Sequence, residues 1–467
     1  MKGVFYMGVV GAVVVPHPPL IMPEIGRGEE KKIQPTIDAY REAMRRMAAL
    51  SPDTVFISSP HATMYADYFH ISPREQATGD FGDFRVPELK LSADYDTELV
   101  KTLCRCLADA GVDGGTGAER MAKLDHGTMV PLRFVQEAMP GVKIVRAGLS
   151  GLSPRDHYRF GECVAQAAEL LGRRVVYVAS GDLSHKLKAD GPYGFAAEGP
   201  VFDKECMAAL ATGDFLRLLS IDPELSKGAA ECGLRSFWMM AGALDRHRVE
   251  AEQLSYEEPF GVGYGVASFI VGARDESRAF GDAFEAAQKE RLAARKAAED
   301  EYVKLARMSL ETFVKTGKRA DVPKNLPPEL SDVRAGAFVS LKKDGMLRGC
   351  IGTILPVTES LGAEIIRNAV SACSEDPRFS PVTEDELPAL VYSVDVLTEP
   401  EPIASDEMLD PKKYGVIVES GGRRGLLLPD LAGVDTVAEQ LSIACRKGGI
   451  DPEGPVKLWR FEVVRHH

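Results

Sequence analysis

The chain has 467 residues, 45% hydrophobic and 27% charged, with a formal net charge of −13. That is the balance of an ordinary globular protein of two or three domains, and the acidic excess, with no lysine or arginine cluster beyond a triplet, excludes the basic face that a nucleic acid or an anionic membrane requires. Eight scattered cysteines without a C-x-x-C pair exclude a disulfide framework and fit a reducing, cytoplasmic setting, and no apolar run of about 18 residues suggests a membrane span.

Gly8–Val15 predicts the first strand. The apolar stretch after Lys2 superficially resembles a secretion signal, but it lacks a small-x-small cleavage site and ends in PHPPLIMP, so the strand is preferred. Lys32–Leu50 carries Ile33, Ile37, Tyr40, Met44 and Met47 at helical spacing, and Thr54–Ser58 follows as a strand, giving a β-α-β start and a parallel pair. Ala93–Ala110 reads as a helix. Leu124–Thr128 reads as a loop before a short helix, Val142–Ala147 as a strand and Asp156–Leu171 as a helix. Val175–Ser180 is the central strand, ending in SGDLSH. Gly228–Gly233 precedes a helix over Leu234–Leu244 and sets Glu231 near its start, where a carboxylate also complements the helix dipole. Tyr264–Val271 closes the domain, and the glycines of FGVGYG before it read as a turn. The expected fold is an α/β first domain (1–272) with a mainly parallel, covered sheet. Phe280–Asp300, rich in Ala, Glu, Lys and Arg, predicts a solvated helix; the linker is set at 273–295 and a second domain at 296–467, opening with a helical stripe from Tyr302.

Three strands share one ending. Each apolar run stops at a turn residue, and a histidine follows: His17 after Val15-Pro16, His61 after Ser59-Pro60, His185 after SGDLS. In open α/β sheets ligands bind outside the carboxyl ends of parallel strands, so these histidines are expected to meet there. Two imidazoles and one carboxylate with open positions is the donor set of non-haem iron(II) oxygenases. His17 and His61 supply the imidazoles and Glu231 the carboxylate. His185 is left for proton transfer, which its near-neutral pKa suits. His70, His157 and His247 read as surface or helix residues without a role.

VPHPPLI, SSPHA, LDHGT, SGDLSH and the AAECG-helix segment together resemble the LigB-like fold, the catalytic subunit of class III extradiol ring-cleavage dioxygenases, over roughly residues 5–272. The resemblance implies Fe(II) held by His17, His61 and Glu231, His185 as acid/base, His126 lining the substrate site, and a catechol-type aromatic and dioxygen as substrates. The domain also resembles the Memo-like branch of that fold, through Asp182-x-x-His185 and Cys232-Gly233. That branch implies Cys232 as the third ligand, and Cu or Zn as alternatives to iron. The third ligand is therefore Glu231 or Cys232, with Glu231 preferred.

In the second domain, Leu347–Thr353 (LRGCIGT) is the sharpest motif. A glycine on each side of Cys350-Ile351, Gly349 and Gly352, suggests close backbone approach at a strand-turn. Cys350 could act as a nucleophile beside Arg348, but no histidine base is at hand and a packed cysteine is the preferred reading. LRGCIGT, DPRF at Asp376–Phe379, the strand Val391–Leu397 and GLLLPD at Gly425–Asp430 resemble the AMMECR domain, an α+β fold, across roughly 296–467. The resemblance implies membership of a set that also contains Memo-like proteins and a radical SAM enzyme, making a radical SAM protein an expected partner; the chain lacks that enzyme's CxxxCxxC motif. Two functions follow: an extradiol dioxygenase-like enzyme with an AMMECR accessory domain, or a metal-binding, non-dioxygenase component of a radical SAM-associated modification system. A homo-oligomer is compatible with either.

Overall fold

The computed structural model describes residues 7–117, 119–431, 433–452 and 454–467. The chain divides into two compact units at Ala287/Gln288. Among the described residues no helix is long and apolar enough to cross a membrane.

The first unit is built on a six-stranded sheet ordered Lys143–Gly148, Thr54–Ser59, Arg174–Ser180, Gly8–Val15, Tyr264–Arg274, His247–Glu257. The first four strands pair in parallel, and Tyr264–Arg274 pairs antiparallel with both Gly8–Val15 and His247–Glu257. Strand sequences explain why the sheet is covered on both faces. Val55, Ile57, Val176 and Val178 enter one core, while Phe56, Val175, Tyr177 and Ala179 enter the other. A period of two between two buried faces reads as one continuous apolar run. The Gln34–Ala49 and His126–Ala138 helices close one face; the Thr97–Ala110, Pro154–Leu171 and Leu234–Ala243 helices close the other.

Two expectations are corrected. The Ala93–Ala110 segment is not one helix: its first two residues end the Val86–Asp94 strand, which pairs with Gln76–Phe81 in a hairpin. The helix begins at Thr97 because Asp96 caps it, its Oδ1 accepting the Leu99 N–H at 3.1 Å. His70, His157 and His247 are all buried rather than on the surface, and His70 and His247 lie in strands. His157, although helical, packs against Phe69 and Trp238.

The second unit holds two four-stranded antiparallel sheets. One is ordered Met346–Gly352, Ala337–Lys343, Leu390–Leu397, Val463–His466; the other Glu401–Ile403, Lys457–Phe461, Gly415–Ser420, Arg423–Leu427. LRGCIGT forms the edge strand of the first. A Cβ on Gly349 would lie 2.2 Å from the Ala372 carbonyl oxygen of the Leu361–Ser374 helix, so only glycine lets the helix this close. The Cys350 peptide is satisfied by the DPRF segment: its N–H donates to Asp376 Oδ2 (2.9 Å), and its carbonyl accepts from Arg378 Nη2 (3.2 Å). Cys350 Sγ accepts from Ser340 Oγ at 3.1 Å. Arg348 makes a two-pronged contact with Glu386, both bonds 2.8 Å. The two motifs thus cap an exposed sheet edge with side chains.

Candidate metal centre and its surroundings

The carboxyl ends of three adjacent parallel strands set the site. Val15 pairs with Ser180 and Ser58 with Ala179, so the strands end level. His17 and His61 leave two of them, and Ser180 to Asp182 leave the third.

His17 is buried, and its Nδ1 lies 3.0 Å from Ser180 Oγ. Ser180 spends its one proton on the Gly127 carbonyl, 2.6 Å away, so its oxygen must accept the His17 Nδ1–H. That leaves the His17 Nε2 lone pair facing His61 Nε2 at 3.0 Å and Cys232 Sγ at 3.7 Å. Burial, then the neighbouring His61, pushes the His17 pKa down to about 3, so the ring is neutral. Burial also lowers His61.

Cys232 arrives by a close approach of two loops. A Cβ on Gly181 would lie 2.1 Å from the Gly233 Cα, so SGD and ECG can touch only as glycine on glycine. The Asp182 N–H then points at Cys232 Sγ (3.3 Å) and the His17 N–H at Asp182 Oδ1 (2.8 Å). Burial, and Asp182 beside it, hold the Cys232 thiol pKa well above its ordinary value. Gly181→Ala is accordingly expected to cost about 3 kcal/mol and to pull Cys232 out of place. Urea unfolding and metal uptake check this together, and a variant with native stability would contradict the close approach.

His17, His61 and Cys232 offer ligand atoms that all lie within 4.8 Å of one another; so do Asp182, His185 and Cys232. The expected Glu231 is not in either set. Its Oε2 accepts the Leu234 N–H (2.7 Å) at the start of the Leu234–Ala243 helix, and its Oε1 accepts from Ser226 Oγ (2.8 Å). The carboxylate serves the helix start, and its neighbour in sequence faces the imidazoles.

His126 lies beside this set, its ring centroid 4.0 Å from that of His61. It opens the His126–Ala138 helix, capped by Asp125. Burial, then His61 and His17, pushes its pKa down to about 4. His185 donates its backbone N–H to the Ala229 carbonyl, and its buried Nε2 has no hydrogen-bond partner among the described residues. Burial lowers its pKa as well.

Three supporting carboxylates were not predicted as part of the site. Asp125 Oδ1 accepts from Ser59 Oγ (2.5 Å) and the Thr128 N–H (2.9 Å), with the buried Arg146 guanidinium 3.6 Å from its Oδ2, so one group fixes both the SSPH turn and the His126 helix. LDHGT carried a signal for it; Arg146, inside a strand, carried none. Asp182 was read only as a motif residue of the Memo-like resemblance, without a role in the site. Asp203, with no signal in sequence, accepts the Ser184 N–H (2.7 Å) and the Tyr256 hydroxyl (2.8 Å) and so holds the SGDLSH loop.

Burial raises the Asp203 pKa from 3.8 to about 6. The folded value exceeds the unfolded one, so folding is favoured below the unfolded pKa and loses stability as pH rises through about 6, by at most about 3 kcal/mol. Asp203→Asn, which keeps an acceptor for Ser184, is expected to flatten that part of the stability profile between pH 4 and 6, read from urea midpoints; an unchanged slope would contradict it.

A family model described as the catalytic LigB subunit of aromatic ring-opening dioxygenase matches residues 11–267, and one for AMMECR1 matches residues 303–466. A protein of Clostridium acetobutylicum is 42% identical over 468 residues, covering 98% of this chain and 99% of its own. A Thermotoga maritima protein is 53% identical over 170 residues, 36% of this chain and 98% of its own. Among solved structures, a Pyrococcus horikoshii protein is 36% identical and covers 35% of this chain and 88% of its own, with a TM-score of 0.33.

Proposed function

The chain belongs to the LigB family, the catalytic subunits of aromatic ring-opening dioxygenases, with an AMMECR1 domain behind it, and from that premise we propose that its first unit is a metal-dependent dioxygenase acting on a catechol-type aromatic. The observation that carries the reading is the convergence of His17, His61 and Cys232 beside an imidazole, His185, whose Nε2 is unpartnered.

The residues fit a metal ion. Ligands at about 2.0–2.1 Å for nitrogen and 2.3 Å for sulfur, spread tetrahedrally, stand about 3.3 and 3.5 Å apart, close to the 3.0 Å between the two imidazole nitrogens and the 3.7 Å from His17 Nε2 to Cys232 Sγ. Ser180 fixes the tautomer that frees His17 Nε2. Iron(II) is the metal this reading assigns; when bound it supplies Lewis acidity toward the diol and electron exchange with dioxygen.

The remaining work falls to the chain. The strand ends bury His17 and leave His61 and Cys232 half-buried, so the donor set is reachable by a ligand. Cys232 gives up its proton on metal uptake, as a buried thiol must to become a ligand. His185 takes a proton from a substrate hydroxyl, which its lowered pKa keeps it free to do. The AMMECR1 unit is assigned to substrate access or partner docking.

Cys232 also favours a second reading. A thiolate makes the donor set softer than two histidines and a carboxylate, which suits copper(I) or zinc. On that reading the protein is a metal-binding, non-dioxygenase component of a radical SAM-associated modification system, with a radical SAM protein as partner. Oxygen-electrode measurements on iron(II)-loaded protein with a panel of catechols separate the two. One dioxygen consumed per catechol, with ring-opened product, is expected for the first. Absence of uptake with every catechol, together with tight copper binding, would favour the second.

A further inference from the structure

Two histidines of the site stand outside the His17–His61–Cys232 set, and each is braced by one aromatic ring from a loop. Phe84, at the end of the Gly82–Phe84 turn, meets His126 edge-on, with centroids 5.3 Å apart and planes at 70°. Tyr193 stacks on His185, with centroids 5.1 Å apart and planes at 25°.

Tyr193 sits in a loop closed by the Leu187–Phe195 bridge. The loop is internally tied by Gly191 N–H to the Lys188 carbonyl (3.0 Å) and Gly194 N–H to the Gly191 carbonyl (3.2 Å), and anchored by Lys188 Nζ on the Pro259 carbonyl (2.9 Å). Although stacked, Tyr193 is 59% exposed. Its ring covers an imidazole rather than filling a core, so its packing value is directional: an offset stack fixes the plane of its partner. His185 needs that. With Nε2 unpartnered, no hydrogen bond from that atom fixes the ring, yet one of its nitrogens lies within 4.8 Å of the Asp182 carboxylate and Cys232 Sγ.

We infer that Tyr193 is a positioning residue: its ring, presented by the Leu187–Phe195 loop, holds the His185 imidazole in the plane that faces the substrate. The inference rests on the reading of His185 as the proton-transfer group. It assigns the aromatic ring of Tyr193, not its hydroxyl, to the task.

The test uses the full chain as wild type, Tyr193→Phe and Tyr193→Ser. Each is treated with diethyl pyrocarbonate, and carbethoxylation of His185 is followed by mass spectrometry, with the buried His157 as an internal control for folding. Tyr193→Ser is expected to speed modification of His185 about fivefold, the order of one lost aromatic pair. Tyr193→Phe is expected to react like wild type, and His157 to stay unreactive in all three. In parallel, turnover of a catechol is expected to fall in Tyr193→Ser with metal content unchanged, and to be restored in Tyr193→Phe. Equal His185 rates in all three proteins would overturn the inference even if wild type turns over catechols. The expected rates with no catechol turnover in wild type would uphold the positioning role and reject the dioxygenase reading.

Discussion

Cys232→Ala is expected to abolish stoichiometric metal uptake, while Glu231→Gln retains it. Cys232 Sγ is the atom 3.7 Å from the free nitrogen of His17; the Glu231 oxygens are bonded to Leu234 and Ser226. Loss of an outer partner of a metal site costs 10- to 100-fold in affinity, so loss of a ligand should weaken binding by more than about a hundredfold. Glu231→Gln keeps one acceptor for the helix start and should cost about 1 kcal/mol of stability. Equilibrium dialysis with metal analysis, paired with urea unfolding, reads both. Metal loss in Glu231→Gln with retention in Cys232→Ala would return the carboxylate to the site and contradict the geometry.

His185→Ala is expected to lower kcat by about a hundred- to ten-thousandfold, the usual yield of a placed general acid or base. Metal content should not change, because His17, His61 and Cys232 remain. The separation matters because His185 shares a second ligand-atom grouping with Asp182 and Cys232. A variant that loses metal and activity together would assign it to the metal. Steady-state kinetics with metal analysis on the same preparation decides.

The strands that deliver the histidines were legible because fully buried strands are unbroken apolar runs, and the level ends of three neighbours follow from parallel pairing. His17 and His61 could be foreseen to meet for that reason alone. The choice between Glu231 and Cys232 could not. Adjacent residues point different ways: Glu231 meets a helix N–H that needs an acceptor, and Cys232 is brought beside His17 by a glycine contact between segments about fifty residues apart. The Gln76–Asp94 hairpin escaped because Gly79, Gly82 and Pro87 interrupt its apolar pattern, and its end runs straight into a helix. Arg146 and Asp203 were invisible for a related reason: a buried charge inside an element has no local pattern, only partners brought by the fold. In the second unit both glycines of LRGCIGT make close approaches, Gly349 to the Leu361–Ser374 helix and Gly352 to Phe338, but they do so inside an edge strand and not at a turn. Arg348 does not serve Cys350, since its guanidinium is spent on Glu386.

The central claim is a metal centre open to an aromatic diol and a diatomic gas at once. Anaerobic iron(II) titration of wild type and His17→Ala, followed by nitric oxide and electron spin resonance with and without a catechol, tests it most directly. The account predicts one iron per chain in wild type, none in His17→Ala, and a high-spin iron–nitrosyl signal that a catechol perturbs. Absence of iron uptake by wild type, or a nitrosyl signal indifferent to every catechol, would contradict it.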